Sequence, residues 1–383
     1  MRITDVEALV VGEPLERIGR DSWDGSQDTV VIRVSTDEGV TGIGEVDSAP
    51  EVIRAIVESP PSMRTMWGLR ELCLKEDPRQ IGLLWDKLWR GTSYFGRSAA
   101  ALHAISGVEI ACWDILGKVT GLPVSVLLGG RYRDSVLVYA SLMTPETPEE
   151  TAEVVRSLAA EGFRAIKLGG GPLGRDADHD EEIVAAARAA SREVDLMIDL
   201  AMTWETATHS LRMARRLEQY GLRWIEEPIW PDDLDAYVWL TDRSPVPIAA
   251  GEAESTEARL LEMIRRRAVH VLQPDITRAG GFAAVRRVVD AARLAGLDSV
   301  LHCWHTGITK AISLHLSAAC RNLELLEYCV ESNPIQTSVT RQQFPVVDGR
   351  VAVPTEPGLG VDLDEETVRI YARPRAAREA TIA

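Results

Sequence analysis

The second part of the chain alternates short apolar runs with amphipathic stretches, and this alternation limits the folds that it can adopt. The stretches between the runs have helical spacing, as in TPEETAEVVRSLAAEG and GFAAVRRVVDAARLAG. The strand-like runs lie near residues 135–142, 163–168, 195–200, 223–228, 247–252, 269–275, 298–303 and 323–328. Evenly spaced strands that are each joined by a helix favour a parallel, TIM-like (β/α)8 barrel of the α/β class. A doubly wound open sheet is the competing solution, but no GxGxxG follows the first strand.

The first part of the chain is organised differently. Residues 1–11 and 29–46 are predicted strands, the latter with the Asp-Glu-Gly turn of a hairpin, and SAAALHAISGVEIACWDILGKVTG is a predicted helix. We therefore predict an α+β capping domain over residues 1–130 and a barrel over residues 131–334. The turn-rich segment 335–383 is expected to pack back on the capping domain.

Composition narrows the possible partners and the compartment. The net charge of −16 argues against nucleic acid and against an anionic membrane surface, since both attract basic patches. The apolar runs are shorter than the roughly 20 residues that span a bilayer. An odd number of cysteines without a CxxC pair indicates reduced thiols in a cytoplasmic protein. These cysteines are Cys73, Cys112, Cys303, Cys320 and Cys329.

Ionisable residues stand at or near the ends of seven consecutive predicted strands. In chain order they are Lys167, Asp199, Glu226, Glu252, Asp275, His302 and Glu327. One polar residue at a strand end is usually a helix cap or a solvated turn. Seven in succession are hard to explain in that way, and their burial is unfavourable unless they are paired or bind a cation. In a barrel all of these ends converge on one face, where active sites of this architecture lie.

The residue types at this face point to a metal-assisted proton abstraction. The carboxylates of Asp199, Glu226 and Glu252 form a hard all-oxygen set that selects Mg²⁺, or Mn²⁺, over Zn²⁺. Asp275 and His302 suit a carboxylate–imidazole dyad that takes a proton next to a substrate carboxylate. Together with a metal, a lysine near this carboxylate would stabilise the enediolate that forms.

Over nearly its whole length the chain resembles the enolase superfamily, and within it the mandelate racemase-like subgroup. The resemblance rests on AAALHAISGVEIACWDILGKVTGLPVSVLLGG, WIEEP, AGE, QPDITRAGG, LHCWHTGI and LLEY, in this order and spacing. It implies an α+β capping domain, built from both chain termini, over a modified (β/α)8 barrel. It also implies one Mg²⁺ per subunit, a small-molecule carboxylate substrate and a homo-oligomer, dimeric or octameric.

The resemblance assigns roles to individual residues. It implies metal ligands at Asp199, Glu226 and Glu252, the first Glu of Glu-Glu-Pro being the ligand. It implies a catalytic His302–Asp275 dyad. The remaining family positions fall on Lys167, which would be catalytic and contact the substrate carboxylate, and on Glu327, a catalytic carboxylate of the eighth strand.

The chain departs from the family pattern at two positions. Gly169 stands where the family's strand-two motif has its second lysine, the usual base for the opposite face of the substrate carbon. Ala201 replaces an amide that many relatives carry. With one evident base, we expect a hydro-lyase that converts an acid sugar to a 2-keto-3-deoxy acid by syn dehydration. A racemase or epimerase of a 2-hydroxy acid and a non-catalytic acid-sugar-binding relative are the alternatives.

Substrate specificity is expected to come from loops of the capping domain. Arg20 and Trp23 in the loop at residues 15–28 are predicted substrate-binding residues, with a solvated loop charge as the alternative for the arginine. A second loop covers residues 47–50. His305 is predicted either to contact the substrate or to lie on the approach to the next helix.

Overall fold

The computed structural model describes residues 1–13 and 27–374, and its N-terminal part is an antiparallel sheet backed by helices. The strands are β1 (Ile3–Gly12), β2 (Asp28–Thr36) and β3 (Thr41–Val46), in the order β1-β2-β3. The helices are α1 (Pro50–Glu58), α2 (Leu69–Cys73), α3 (Ile81–Gly91), α4 (Ala100–Thr120) and α5 (Val124–Leu127). Helix α4 lies directly on β3, since a Cβ atom at Gly42 or Gly44 would meet α4 carbonyl oxygens at 2.1–2.2 Å.

Eight parallel strands follow and form the barrel. They are β4 (Ser135–Met143), β5 (Ala165–Gly169), β6 (Asp195–Asp199), β7 (Trp224–Glu226), β8 (Ile248–Ala250), β9 (Val271–Leu272), β10 (Asp298–Ser299) and β11 (Leu325–Cys329). Each pairs with its sequence neighbours, and β11 pairs with β4. A parallel bridge between Leu301 and Leu326 joins the last two strands and closes the barrel. The (β/α)8-type barrel under an α+β capping domain is therefore confirmed.

The lower interior of the barrel is packed with side chains. One buried residue from each strand, or from the residue just beyond it, contributes to a single apolar cluster, so the barrel is a filled core and not a pore. Its members are Tyr139, Ala165, Met197, Trp224, Ala249, Val271, Val300 and Leu325. The polar residues near the strand ends lie above this layer, because inward-facing positions alternate along each strand.

Seven barrel strands are followed by a helix of at least eight residues, and β11 only by a five-residue helix. The helices are α6 (Pro148–Ala160), α7 (Ala177–Ala190), α8 (Ala207–Leu217), α9 (Leu234–Thr241), α10 (Glu257–Arg266), α11 (Phe282–Leu294), α12 (Gly307–Ala319) and α13 (Pro334–Ser338). A 3-10 turn (Glu218–Tyr220) extends α8. Six of the seven longer helices begin at a Thr or Asp whose side chain accepts a backbone N–H, which satisfies a free donor of the first turn.

Helix α11 is the exception, because the capping domain supplies its cap. Glu109 of α4 accepts hydrogen bonds from the backbone N–H groups of Phe282 (3.0 Å) and Ala283 (3.1 Å). Glu109 is fully buried, and burial raises its pKa to about 7 against the lowering effect of these bonds. A buried polar contact therefore links the capping domain to the barrel.

The C-terminal segment contacts both parts of the molecule. Strand β12 (Arg350–Ala352) pairs antiparallel with β4 of the barrel. Helix α14 (Glu365–Tyr371) lies against the capping sheet, where Glu365 accepts hydrogen bonds from Arg33 at 2.7 and 2.8 Å. The backbone carbonyl of Arg373 accepts a bond from Arg54 of α1 at 2.9 Å.

Some elements differ from those that the sequence predicts. The ladders of β9 and β10 are two residues long, shorter than the apolar runs at 269–275 and 298–303. Helix α1 begins at Pro50, where only a loop is predicted. Among the described residues, α4 is the one helix long and apolar enough to cross a membrane, but 78% of its most apolar window is buried inside the protein.

Candidate active site

The predicted site residues converge at the carboxyl end of the barrel. Lys167, Asp199, Glu226 and Glu327 lie in strands β5, β6, β7 and β11. Glu252, Asp275 and His302 follow β8, β9 and β10 by two or three residues. The parallel register places neighbouring members side by side, as with Asp199 opposite Glu226.

Three carboxylates form a cluster that could hold a metal ion. Asp199, Glu226 and Glu252 each present an oxygen, and these oxygens lie within 4.8 Å of one another. Burial is the main cause that raises the pKa of Glu226, to about 8, and that of Glu252, and neighbouring carboxylates add to it. A divalent cation would relieve this repulsion, and carboxylate oxygens are the ligands that hard cations prefer. The donor set therefore fits Mg²⁺.

Further contacts orient Glu226 within this cluster. Its Oε2 accepts hydrogen bonds from the indole of Trp224 (2.9 Å) and from the side-chain amide of Gln273 (2.7 Å). Glu227, the second acid of the Glu-Glu-Pro sequence, is also buried, and burial together with the charges of Glu252 and Asp199 raises its pKa well above the usual range.

Lys167 lies among the carboxylates. Its Nζ contacts Glu226 and lies 2.9 Å from Glu327 Oε1 and 3.3 Å from Asp199 Oδ2. Burial alone would lower the pKa of Lys167, but these carboxylates outweigh it and raise the pKa well above its usual value. The lysine is therefore a fixed positive charge between the carboxylate cluster and the eighth strand.

The His302–Asp275 dyad is formed at the ends of neighbouring strands. His302 Nδ1 lies 2.6 Å from Asp275 Oδ2, and because a carboxylate only accepts, Nδ1 carries the proton of this bond. The other oxygen, Oδ1, accepts from the backbone N–H (2.6 Å) and hydroxyl (2.8 Å) of Thr277. The second ring nitrogen, Nε2, faces the carboxylate cluster, 3.5 Å from Glu252 Oε2 and 3.9 Å from Glu327 Oε2.

The surroundings of His302 strongly favour its protonated form. Burial lowers the pKa of the imidazole, but the charges of Glu252 and Glu327 and the bond to Asp275 raise it to about 10. Glu327 shows the reverse effect. Its burial raises the pKa, while Lys167 and His302 lower it to about 2.

His305 is buried beside the dyad and is paired with the capping domain. Its Nε2 lies 2.7 Å from Asp47 Oδ1. Asp47 belongs to the second predicted specificity loop, and its Oδ2 also lies 2.7 Å from Arg278 Nη2. The roles of Asp47 and Arg278 were missed from sequence, although the arginine stands in the QPDITRAGG stretch, three residues after Asp275.

The two departures from the family pattern have defined surroundings. A Cβ atom at Gly169 would lie 3.6 Å from both Cβ and Oδ2 of Asp199, which is an ordinary van der Waals distance, so a Cβ atom would fit there. Ala201 has a positive φ of 43°, and its backbone N–H donates to Asp199 Oδ1 at 2.9 Å. Arg20 and Trp23, the predicted substrate-binding residues of the first loop, lie outside the described residues.

Known families match both parts of the chain. Residues 6–129 match the N-terminal domain of the mandelate racemase / muconate lactonizing enzyme family, and residues 150–367 match the enolase C-terminal domain-like family. D-Galactarolactone cycloisomerase of Agrobacterium fabrum is 31% identical over 358 residues, which cover 90% of this chain and 91% of that protein. D-Galactonate dehydratase of Ralstonia nicotianae is 31% identical over 358 residues, with 88% and 89% covered.

A solved structure shows the same architecture over the whole chain. The 3,6-anhydro-D-galactonate cycloisomerase from Zobellia galactanivorans superimposes with a TM-score of 0.87 at 28% sequence identity. The match covers 98% of this chain and 100% of that protein.

Proposed function

Because the chain belongs to the mandelate racemase-like subgroup of the enolase superfamily, we propose that it is a magnesium-dependent hydro-lyase that dehydrates an acid sugar to a 2-keto-3-deoxy acid. The observation that carries this proposal is the one-sided arrangement of acid–base groups. His302 Nε2 faces the carboxylate cluster, whereas Gly169 offers no side chain at the position of a second base. One base suffices for a syn elimination, but inversion at the α-carbon needs two.

The binding groups prepare the α-carbon for deprotonation. Held by Asp199, Glu226 and Glu252, Mg²⁺ would supply positive charge to the substrate carboxylate. Lys167 Nζ would donate to the same carboxylate, since it is charged and fixed by acids on both sides. Both groups would stabilise the enediolate more than the ground state, which would lower the barrier to proton removal.

Proton transfer then runs through a single imidazole. A divalent cation on the carboxylate cluster would offset the negative charges that favour protonated His302, so that the neutral imidazole is available as the base. Neutral His302 accepts the α-proton at Nε2, and the C–H electron pair moves into the carboxylate as the enediolate forms. Asp275 holds the Nδ1 proton and stabilises the imidazolium. The enediolate electrons return to form the Cα–Cβ double bond, the β-C–O bond breaks, and His302 gives its proton to the departing hydroxyl. Water leaves, and the resulting enol becomes the 2-keto acid.

Cycloisomerisation of an acid-sugar lactone or anhydro sugar is the second candidate. Two similar proteins, D-galactarolactone cycloisomerase and 3,6-anhydro-D-galactonate cycloisomerase, carry this activity in their names and match nearly the whole chain. The same base could remove the α-proton while a ring oxygen, instead of a hydroxyl, leaves the β-carbon. Product mass separates the two reactions, because isomerisation conserves mass and dehydration loses water.

The compartment and assembly belong to the proposal as well. We propose a cytoplasmic homo-oligomer, a dimer or an octamer, with one Mg²⁺ per subunit. All five cysteines are buried and free, which agrees with a reducing compartment. His305 remains a proposed substrate contact, and Arg20 and Trp23 remain proposed substrate-binding residues.

The test is a screen of mono- and diacid sugars with Mg²⁺, read out as 2-keto-3-deoxy product and by mass. His302→Asn should lower kcat by about 10²–10⁴-fold, the usual contribution of a general base. His270→Asn is the matched control, because His270 precedes β9 at the opposite end of the barrel and accepts only a backbone bond from Ile248 among the described contacts. Full activity of His302→Asn would refute the mechanism. A C2 epimer without dehydrated product would favour the epimerase, and Mg²⁺ binding without any α-proton exchange would favour the non-catalytic relative.

A further inference from the structure

One residue of the capping domain, Asp47, reaches the loops that carry the dyad. It lies between β3 and α1, and its side chain is buried. Its backbone N–H donates to Thr277 Oγ1 at 3.1 Å, and its carbonyl accepts from Arg278 Nε at 3.2 Å. Its carboxylate receives Arg278 Nη2 on one oxygen and His305 Nε2 on the other, both at 2.7 Å. Asp47 therefore contacts the loops that follow β9 and β10.

Arg278 lies between Asp47 and two acids of the active site. Its Nη1 lies 3.4 Å from Glu252 Oε1, and its Nε lies 3.8 Å from Asp275 Oδ2. This Oδ2 atom is the one that accepts the bond from His302. The guanidinium thus lies close to the oxygen on which the orientation of His302 depends, yet its shortest contact is with Asp47.

The geometry points to a positioning role for Asp47, and we propose that it restrains Arg278 so that the short contact of Asp275 Oδ2 is made with His302 and not with the guanidinium. A buried guanidinium that loses its carboxylate partner must find another, since an unpaired buried charge is strongly unfavourable. The nearest remaining carboxylates are those of Glu252 at 3.4 Å and Asp275 at 3.8 Å, and arginine binds carboxylates with two parallel bonds. Without Asp47 the arginine would compete with His302 for Asp275 and draw Glu252 from the cluster.

Two other interpretations of Asp47 are less consistent with its surroundings. Asp47, Asp275 and His302 lie close enough together to suggest a second metal site. The cationic Arg278, 2.7 Å from Asp47 Oδ2, already supplies the positive charge that such a site would need. A role restricted to anchoring the loop is served by the backbone bonds of Asp47 to Thr277 and Arg278, which do not need its carboxylate.

The test combines removal of the carboxylate with removal of the arginine. Asp47→Ala should lower kcat by about 10–100-fold with little change in KM, because a misplaced base affects the chemical step. Arg278→Gln in the Asp47→Ala background should recover most of the lost kcat, since the competing guanidinium is gone. Asp47→Asn, which keeps the shape, serves if the alanine variant does not fold. Asp86→Ala on α3 is the control, an exposed acid paired only with Arg90 among the described contacts.

A second measurement does not need the proposed dehydratase activity on which the kinetic test rests. In the Mg²⁺-loaded protein labelled with ¹⁵N-histidine, the His302 Nδ1–H resonance should appear downfield and be absent in His302→Asn. This resonance should shift in Asp47→Ala and return to its wild-type position in the double variant. A crystal structure of Asp47→Ala should show Arg278 bonded to Asp275 or Glu252. A crystal structure of the double variant, which lacks Arg278, should show the His302–Asp275 contact restored. An unchanged resonance and an unmoved Arg278 in Asp47→Ala would overturn the proposal, as would a double variant no better than the single one. A wild-type protein that turns over no acid sugar would refute the proposed function and leave this second test decisive.

Discussion

Introducing a lysine at position 169 tests whether the absence of a second base decides the reaction. Gly169 lies in strand β5, and its backbone φ is not positive, so the position accepts residues other than glycine. A Cβ atom there meets Asp199 at an ordinary contact distance of 3.6 Å, so the first atom of a lysine side chain at position 169 fits without a backbone shift. Position 169 shares a face with Lys167, because residues two apart in a strand point the same way. The new ammonium would therefore enter the active site.

The variant should fold with nearly unchanged stability. Replacing glycine within a strand is worth roughly 0.5–1 kcal/mol of conformational entropy. Attraction to a carboxylate about 4 Å away contributes about 4 kcal/mol at an effective dielectric constant of 20. Desolvation of the ammonium costs several kcal/mol and largely offsets this attraction. We expect a net change in unfolding free energy within about 2 kcal/mol, measurable by urea denaturation.

The expected gain is epimerisation at the α-carbon. Wild-type protein should yield product without the C2 epimer of its substrate, whereas Gly169→Lys should form that epimer through a base on each face. Only the neutral amine accepts a proton, so epimer formation should rise about tenfold per pH unit below the lysine pKa. Chiral chromatography and deuterium incorporation from D₂O measure the epimer.

Gly169→Met is the matched control, because it fills the same space without a base. Epimer in this variant, or in the wild type, would show that inversion does not depend on a lysine at this position. A folded, Mg²⁺-binding Gly169→Lys that still dehydrates but forms no epimer at any pH would refute the reasoning. The orientation of the new side chain can then be checked in a crystal structure.

Two further predictions concern the metal and the buried contact that links the capping domain to the barrel. Glu226→Gln removes the charge of one proposed ligand and should weaken Mg²⁺ binding by at least about 100-fold in isothermal titration calorimetry. Equal affinity in the variant would exclude Glu226 as a ligand. Glu109 has a folded-state pKa of about 7, raised by burial, so its contribution to stability is complete below pH 4.5 and is lost as the pH rises through 7. Between pH 4.5 and 8, the unfolding free energy of the wild type should therefore fall by about 3 kcal/mol relative to that of Glu109→Gln, as measured by urea denaturation. Equal pH dependence of the unfolding free energy in the two proteins would contradict this expectation.

The barrel and the position of its charged residues could be predicted because strands that follow one another in sequence are neighbours in a parallel barrel. Strands at regular intervals bring their carboxyl ends to one face. A correct strand assignment is therefore enough to predict that Asp199, Glu226 and Glu252 lie together. The same reasoning joined Asp275 to His302, which lie on neighbouring strands. The order and spacing of the motifs predicted the family, and the comparisons with known families confirm it.

Strand length was less predictable, because an apolar run does not show where regular pairing ends. Beyond Leu272 the chain reaches Pro274, which has no N–H to donate to a ladder. Individual bonds continue, such as His302 N–H to the carbonyl of Pro274 at 3.3 Å, but the regular strand has ended.

Asp47 and Arg278 could not be paired from sequence, because their contact depends on how the capping domain docks. They are 231 positions apart, and nothing in the loop at residues 47–50 identifies which barrel residue it meets. A buried Arg278 shared among three acids is a property of the assembled site. Local periodicity carries no information about such contacts.

The charge balance of the site supports metal dependence independently of the family resemblance. A carboxylate substrate must approach a chain of net charge −16. The charge of Lys167 is already opposed by Asp199, Glu226 and Glu327, and that of Arg278 by Asp47. The positive charges of Lys167 and Arg278 are therefore balanced by the protein's own acids, so neither leaves a net positive charge for a substrate anion. A divalent cation held by the carboxylate cluster would reverse this balance where the enediolate would form.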